Sequence, residues 1–600
     1  MKKTRTLSMV CLSVLSVQLW AQSPAPVSPN AATTSTPSHT DDLNKLREQI
    51  AKQEEQIQKL QQSVEQQRAL LDEAIKQAAV SQKPGMQNAA ATTADSSASG
   101  GDESTVAGIG SAGTEPAKLV PVVNVARTGN RGGHGGQTAS SPLSISIGNT
   151  QFTPFGFLDA TFFWRSTNVG SGIGTNFAGI PFNNVVPGHL SETNFSAQNS
   201  RVGLRVDGTY LGWKVLGYLE TDFLFNNNAN SYQITSNSAG LRLRNYFVDG
   251  NNGEFEFLAG QDWSMLTPNR KGISPVPSDI FYTQNMDTNY QIGLVWTRAP
   301  QVRFIAHPNE HMAFGVAFEN PQQYIGGGNG SGVVTLPAGL SSTLGEFQYS
   351  PGANVTNEIT NVPNLMPDIQ AKFAYDGGRE GHAAHVEVAG FLRGFKSYVL
   401  PSIATGPIVA GGHSTFGGGA EVNSSFEIFK GFRLIENAFI SDGGGRYLFG
   451  SAPDFIVRSN GSLSLVRSAS TVDGFEFQAK PNTQLAVYYG GIYVGQNTSY
   501  DPKAVNTKLA TATTPATPLL VGYGYPQIAG FAGPSINQNR TIQELTFDWT
   551  QTLWKNKNYG ALALINQYSY VFRNPWYVPN GAPREAHSNM IWINLRYTLP

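Results

Sequence analysis

The chain has 600 residues with 41 basic and 42 acidic side chains, so its net charge of −1 lacks the basic excess that nucleic-acid binding draws on. Charged residues are only 14% of the chain, against about 25% in ordinary soluble domains, while aromatics reach 11%. Beyond an N-terminal apolar run, no stretch approaches the roughly 20 apolar residues a spanning helix needs. That excludes a helical membrane protein and leaves either a large soluble β protein or a chain that crosses a membrane with strands.

In chain order, residues 1–21 read as a secretory signal: Lys2, Lys3 and Arg5 supply the positive start, and an apolar run follows from Leu7 to Leu19. Ala21 suits cleavage, whereas Leu19 at the minus-three position is larger than usual, so the cut is expected there or a few positions away. The single cysteine, Cys11, falls inside this segment, and Ser8-Met9-Val10 before it lacks the small residue of a lipid-attachment box. The processed chain is therefore expected to hold no thiol or disulfide and to be slightly more acidic.

Residues 41–79 repeat apolar residues at seven-residue spacing, with Leu43, Ile50, Ile57, Val64 and Leu71 at a positions and Leu46, Gln53, Leu60, Gln67 and Ala74 at d. This pattern predicts a coiled-coil helix of about five heptads. Branched residues at a with Leu at d lean towards two strands, and Gln at d weakens that lean, so the seam leaves the oligomer number open. A single solvated helix is the alternative. Residues 80–141 turn to Ala, Gly, Ser and Thr with little periodicity, a flexible linker.

From residue 143 to 600 the period becomes two. Leu158, Ala160, Phe162 and Trp164 alternate with Asp159, Thr161 and Arg165; Val202, Leu204 and Val206 with Arg201, Arg205 and Asp207; Trp213, Val215, Leu219 and Phe223 with Lys214, Glu220 and Asp222. Lipid would meet the first set of each pair and lumen water the second. Strands are predicted at 155–165, 200–208, 212–224, 240–249, 253–261, 291–307, 311–319, 367–376, 383–395, 416–429, 432–441, 466–480, 483–494, 540–553, 559–573 and 589–599. Their connections alternate between tight turns, as at 249–253, 430–431 and 481–482, and long loops, as at 320–367 and 495–539, provided 291–307 is one strand interrupted by a bulge at Pro300. The prediction is an all-β membrane protein: an antiparallel transmembrane β-barrel of about sixteen strands, preceded by the coiled-coil helix. A soluble sandwich would not sort its loops into two lengths. Trp164, Trp213, Trp549 and Tyr597 near strand ends suit interfacial girdles.

On the predicted lumen face, Arg201, Arg205, Arg242, Arg244 and Arg303 form a candidate basic ladder on early strands, with Lys372 and Arg393 further round. Asp159, Asp207, Glu220, Asp222, Glu256, Glu319 and Glu387 oppose it, giving a transverse field. Water held in such a field passes ions and polar solutes and retards apolar ones. Each arginine alone is as well explained by pairing with a neighbouring carboxylate; the cluster suits anions, because conduction needs several weak sites in series. The third outer loop, 262–288, carries Trp263, Arg270, Lys271, Pro275, Pro277, Asp279 and Phe281. It suits a segment folded into the barrel to set the narrowest width, with an exposed loop over the mouth as the alternative.

Catalytic and metal motifs are not evident. His307 and His311 flank Pro308 and Asn309 in a tight turn rather than on one helical face, Gly443-Gly444-Gly445 is followed by Arg446 rather than by a P-loop Lys, and no G-x-S-x-G elbow occurs. No enzyme activity, cofactor or metal is expected.

The succession of signal, heptad helix, linker and sixteen-strand pattern resembles the DcaP-like trimeric porins of Gram-negative outer membranes. The likeness is carried by Ser200-Arg201-Val202-Gly203-Leu204, Leu241-Arg242-Leu243-Arg244-Asn245-Tyr246, Ala259-Gly260-Gln261-Asp262-Trp263-Ser264, Ala299-Pro300-Gln301-Val302-Arg303-Phe304 and Glu319-Asn320-Pro321. The resemblance implies a homotrimer in the outer-membrane lipid with its coiled coil in the periplasm, pores favouring small anionic solutes such as dicarboxylates, and Arg201, Arg242, Arg244 and Arg303 on the solute path. The chain departs from the usual terminal aromatic by ending Tyr597-Thr598-Leu599-Pro600. A structural envelope protein, in which the barrel anchors a coiled coil that grips a periplasmic partner, is the competing function.

Overall fold

The computed structural model describes residues 141–600 apart from 226–238, 282, 328–333, 338–349, 353–363, 380, 400–410, 450, 502–518, 525–537 and 579–580. The expected signal, coiled coil and linker up to residue 140 lie outside the described residues.

Sixteen long strands form one closed antiparallel wall: β1 (Thr150–Arg165), β2 (Arg201–Tyr210), β3 (Trp213–Phe225), β4 (Gly240–Asn251), β5 (Phe255–Trp263), β6 (Arg298–Asn309), β7 (Met312–Glu319), β8 (Asp368–Arg379), β9 (His382–Val399), β10 (Gly411–Phe429), β11 (Phe432–Asp442), β12 (Arg467–Lys480), β13 (Thr483–Val494), β14 (Asn539–Asn556), β15 (Gly560–Pro575) and β16 (Ala586–Thr598). Each pairs with its neighbours in chain order. The ring closes on β1, whose first half pairs with β2 from Gln151↔Asp207 to Phe157↔Arg201, and whose second half pairs with β16 from Phe157↔Thr598 to Arg165↔Met590. Two short strands, Ile145–Ile147 and Glu192–Ser196, also pair with β1. Closure leaves no free sheet edge, as strands in lipid require.

The alternation of side chains sorts as the sequence reading expects. Val202, Leu204, Leu219, Leu243, Val248, Phe257, Phe304, Phe314 and Val316 face outwards and are exposed, while Asp159, Glu220, Asp222 and Arg244 face inwards and are buried. Connections also alternate. Short turns (211–212, 252–254, 310–311, 380–381, 430–431, 481–482 and 557–559) join the strands at one end of the wall, and from the other end the strands run into the long connections 166–200, 226–239, 264–297, 320–367, 400–410, 443–466, 495–538 and 576–585. The chain's last residues lie at the short-turn end, where Leu599 N–H donates to Gly156 O at 3.0 Å.

One expected strand is corrected. The wall resumes only at Arg298, and residues 291–297 belong to the inward loop; the apolar run Ile292, Leu294, Val295 and Trp296 imitates a strand but is buried against the inner wall. Nor is Pro300 a bulge, because the register with β5 runs unbroken from Trp263↔Arg298 to Phe255↔Ala306. The carbonyl of Pro300 accepts from Asn320 N–H at 2.9 Å, on the side of β7, whose ladder with β6 reaches only Gln301↔Glu319. In an antiparallel strand a residue's N–H and C=O point the same way, so the donor that proline lacks would have faced past the end of the ladder.

The lumen is fuller than a polar channel wall implies. Phe177, Ile180 and Phe182 of the first long loop, Leu266, Met286 and Val295 of loop 3 (264–297), and Tyr447, Phe455 and Ile456 of the 443–466 loop pack with Phe391, Phe395 and Trp592 of the wall into one apolar cluster. These side chains have neither lipid nor a second sheet to cover them, and the barrel interior is where they leave water.

Candidate functional site in the barrel lumen

Loop 3 crosses the lumen and is held by the far wall. Gly272 N–H donates to Asp376 Oδ2 (2.8 Å), Asn269 N–H to Glu387 Oε2 (3.0 Å) and Ile292 N–H to Glu544 Oε2 (2.9 Å), and Arg270 reaches Glu476 Oε1 at 2.8 Å. The wall is shaped for this approach: a side chain at Gly490 of β13 would collide with Ile292 O, and one at Gly293, whose φ is +91°, with Thr471 O. Of the other residues expected in a constricting loop, Trp263 is buried at the loop's root, Lys271 is exposed, and Asp279 O accepts from Arg270 N–H at 2.5 Å.

On the near wall the arginines gather. A bulge in the β3–β4 register, between Glu220↔Asn245 and Thr221↔Leu243, turns both Arg244 and Asn245 inwards. The Arg244 side chain, 3% exposed, lies 2.6 Å from Glu220 Oε1 and 2.7 Å from Asp222 Oδ2. Arg242 grips Asp222 with two bonds, at 2.9 and 2.7 Å, and keeps 36% of its side chain in solvent. Arg201 stands 3.7 Å from Glu220 and donates to the Tyr290 hydroxyl at 3.4 Å. Arg298 lies over the Trp263 ring at 5.2 Å, and its Nη1 has no hydrogen-bond partner. Four guanidinium groups thus face two carboxylates, Glu220 and Asp222, an excess of positive charge.

Tyr290, at φ +60°, carries loop 3 into this cluster. The left-handed conformation costs a non-glycine residue about 1–2 kcal/mol, and packing against Trp263 and Trp296, at ring distances of 6.1 and 5.3 Å, holds it. Burial opposes ionisation of the phenol, but the guanidinium groups of Arg201, Arg244 and Arg298 outweigh it and hold its pKa below the ordinary value. Between loop 3 and the wall lies a small cavity, partly open to solvent, lined in part by Arg201, Glu220, Asn285, Asp287 and Arg596.

The remaining basic side chains of the expected ladder face inwards but stand apart from this cluster. Arg303 is buried and donates to Trp263 O at 2.8 Å, bracing the root of loop 3. Lys372 holds Glu387 (2.9 Å), Thr267 O and Asn269 Oδ1. Arg393 joins Asp368 (2.9 Å) to Asp454 (2.8 Å) and to the carbonyl of Gly443, fixing the 443–466 loop. Arg205 pairs with Asp207 through two bonds at 2.5 and 2.6 Å. Arg298 escaped the sequence reading because alternation from Arg303 assigns position 298 to the lipid face. It is the first residue of its strand, and its side chain follows the loop inwards. His307 and His311 turn to different partners, Glu256 and the Asp376 carbonyl.

A closed sixteen-strand antiparallel wall with an apolar outer face, short turns at one end and a long loop folded across its lumen is the architecture of an outer-membrane porin. Among solved structures the fold is similar to that of the outer membrane channel DcaP of Acinetobacter baumannii, with a TM-score of 0.50 and 17% identity over 76% of this chain and 99% of that one. An anion-selective porin from Comamonas acidovorans (TM-score 0.40, 12% identity, 75% of this chain and 100% of that one) and Salmonella typhi OmpF (0.36, 10%, 76% and 100%) also match. No protein-family model and no curated protein matches the chain.

Proposed function

We propose that this protein is an outer-membrane porin through which small hydrophilic solutes diffuse passively, with a preference for small anions such as dicarboxylates. The observation that carries the preference is the grouping of Arg201, Arg242, Arg244 and Arg298 around two carboxylates, at the place where loop 3 meets the wall. An excess of guanidinium charge raises the local concentration of anions, and Arg242 and Arg201 keep part of their side chains in solvent, where a carboxylate solute reaches them. Arg303 and Arg205 act in this reading as supports of the wall and loop, while Trp263, Arg270, Lys271 and Asp279 belong to the constricting segment. The chain is exported, assembles as a homotrimer, and extends its heptad helix into the periplasm. Purified full-length protein in planar bilayers should give discrete conductance steps.

A second reading is favoured by the apolar cluster that the first, third and 443–466 loops build inside the wall: a plugged barrel that anchors the coiled coil for a periplasmic partner. Protein that inserts and yet carries no current supports that reading and removes the first.

A further inference from the structure

We propose that the cavity between loop 3 and the near wall is a binding site for small 2-amino acids in their zwitterionic form, an inference that rests on reading the barrel as a solute channel. The lining holds both signs of charge: Arg201 and Arg596, with Glu220 and Asp287. Three of its polar atoms have no hydrogen-bond partner, one donor, Arg201 Nε, and two oxygens, Thr283 Oγ1 and Asn285 Oδ1. Asn285 and Thr283 are buried, at 6% and 1% exposure. The orientation of the Asn285 amide follows from its Nδ2, which donates to Gln291 Oε1 at 3.0 Å and leaves the carbonyl oxygen for another partner.

Unpaired buried polar atoms are costly, and a ligand that satisfies them gains the difference. A plain anion answers Arg201 but leaves the two oxygens unmet and faces Glu220 and Asp287. A cation has the reverse failing. A 2-amino acid meets both: its carboxylate accepts from the Arg201 guanidinium, and its ammonium, with three N–H donors in a tetrahedral fan, donates to Asn285 Oδ1, Thr283 Oγ1 and a carboxylate oxygen. The guanidinium of Arg201 is held only loosely, at 3.7 Å from Glu220 and 3.4 Å from the Tyr290 hydroxyl, so a solute carboxylate draws it away at small cost.

The test is osmotic swelling of proteoliposomes carrying the full-length chain, comparing L-alanine with lactamide, a solute of similar size without formal charges. L-alanine is expected to enter about fivefold faster, the net worth of about one ordinary hydrogen bond. Separate Asn285→Leu and Thr283→Val variants should each lower that ratio, the first towards one. Equal entry of the two solutes into liposomes made with unaltered protein overturns the inference while leaving the channel reading intact, as does a ratio that both variants leave unchanged. Entry of neither solute removes the channel reading and the inference with it.

Discussion

The two halves of the lumen wall use charge in opposite ways. On β8, β9, β12 and β14, Asp376, Glu387, Glu476 and Glu544 are engaged by loop 3, three of them by its backbone N–H groups and one by Arg270. On β2, β3, β4 and β6, Arg201, Arg242, Arg244 and Arg298 outnumber their carboxylates and meet the loop at Tyr290. The acidic half spends its charge on holding a loop, and the basic half keeps a surplus facing water. On the proposed reading, a wall with nearly balanced composition thereby acquires a positive constriction.

The largest effect is expected at Arg244, which bridges both carboxylates of the basic half. Arg244→Ala leaves Glu220 and Asp222 short of a buried partner, at a cost of about 3–5 kcal/mol, and the uncompensated acids should turn the reversal potential towards cations. Denaturant midpoints and salt-gradient potentials read the two effects. Gly490→Val attacks the acidic half by pushing Ile292 away from β13; overpacking costs about 1–3 kcal/mol, and single-channel conductance should rise as the loop is displaced. Unchanged conductance would mean that loop 3 does not set the width.

Smaller effects are expected at Tyr290 and Arg205. Because the pKa of Tyr290 is held below its usual 10.0 by burial's failure to outweigh the nearby guanidinium groups, raising the pH should form a phenolate there earlier than at an ordinary tyrosine. That negative charge partly cancels the cluster, so anion preference should fall on alkaline titration, and Tyr290→Phe should remove that step. Arg205→Ala, at a partly exposed pair with Asp207 apart from the cluster, should cost no more than about 1 kcal/mol and leave selectivity in place.

Much of the wall was legible in the sequence because a strand's two-residue period reports directly on its two solvents. Val202 and Leu204 against Arg201 and Arg205, and Leu219 against Glu220, sort in space as they sort in the chain. Loop lengths gave the count of strands. The inward loops were less legible, since nothing local distinguishes the apolar run Ile292–Trp296 from a strand; only its packing on the glycines of β13 does so. The site was half legible: Arg201, Arg242 and Arg244 were readable by alternation, but the bulge that turns Arg244 and Asn245 inwards together, and the inward swing of Arg298, depend on partners far away in sequence. For Arg303, Lys372 and Arg393, sequence gave the direction of the side chain and not its task, because bracing a loop and meeting a solute call for the same residue.

An arginine cluster that draws anions into the lumen sets the sign of the channel's reversal potential. That sign is read from the full-length protein in a planar bilayer across a potassium chloride gradient. A potential of the sign set by chloride is expected, reduced when Arg242 is replaced by Ala. A potential of the sign set by potassium, unmoved by that substitution, would contradict it.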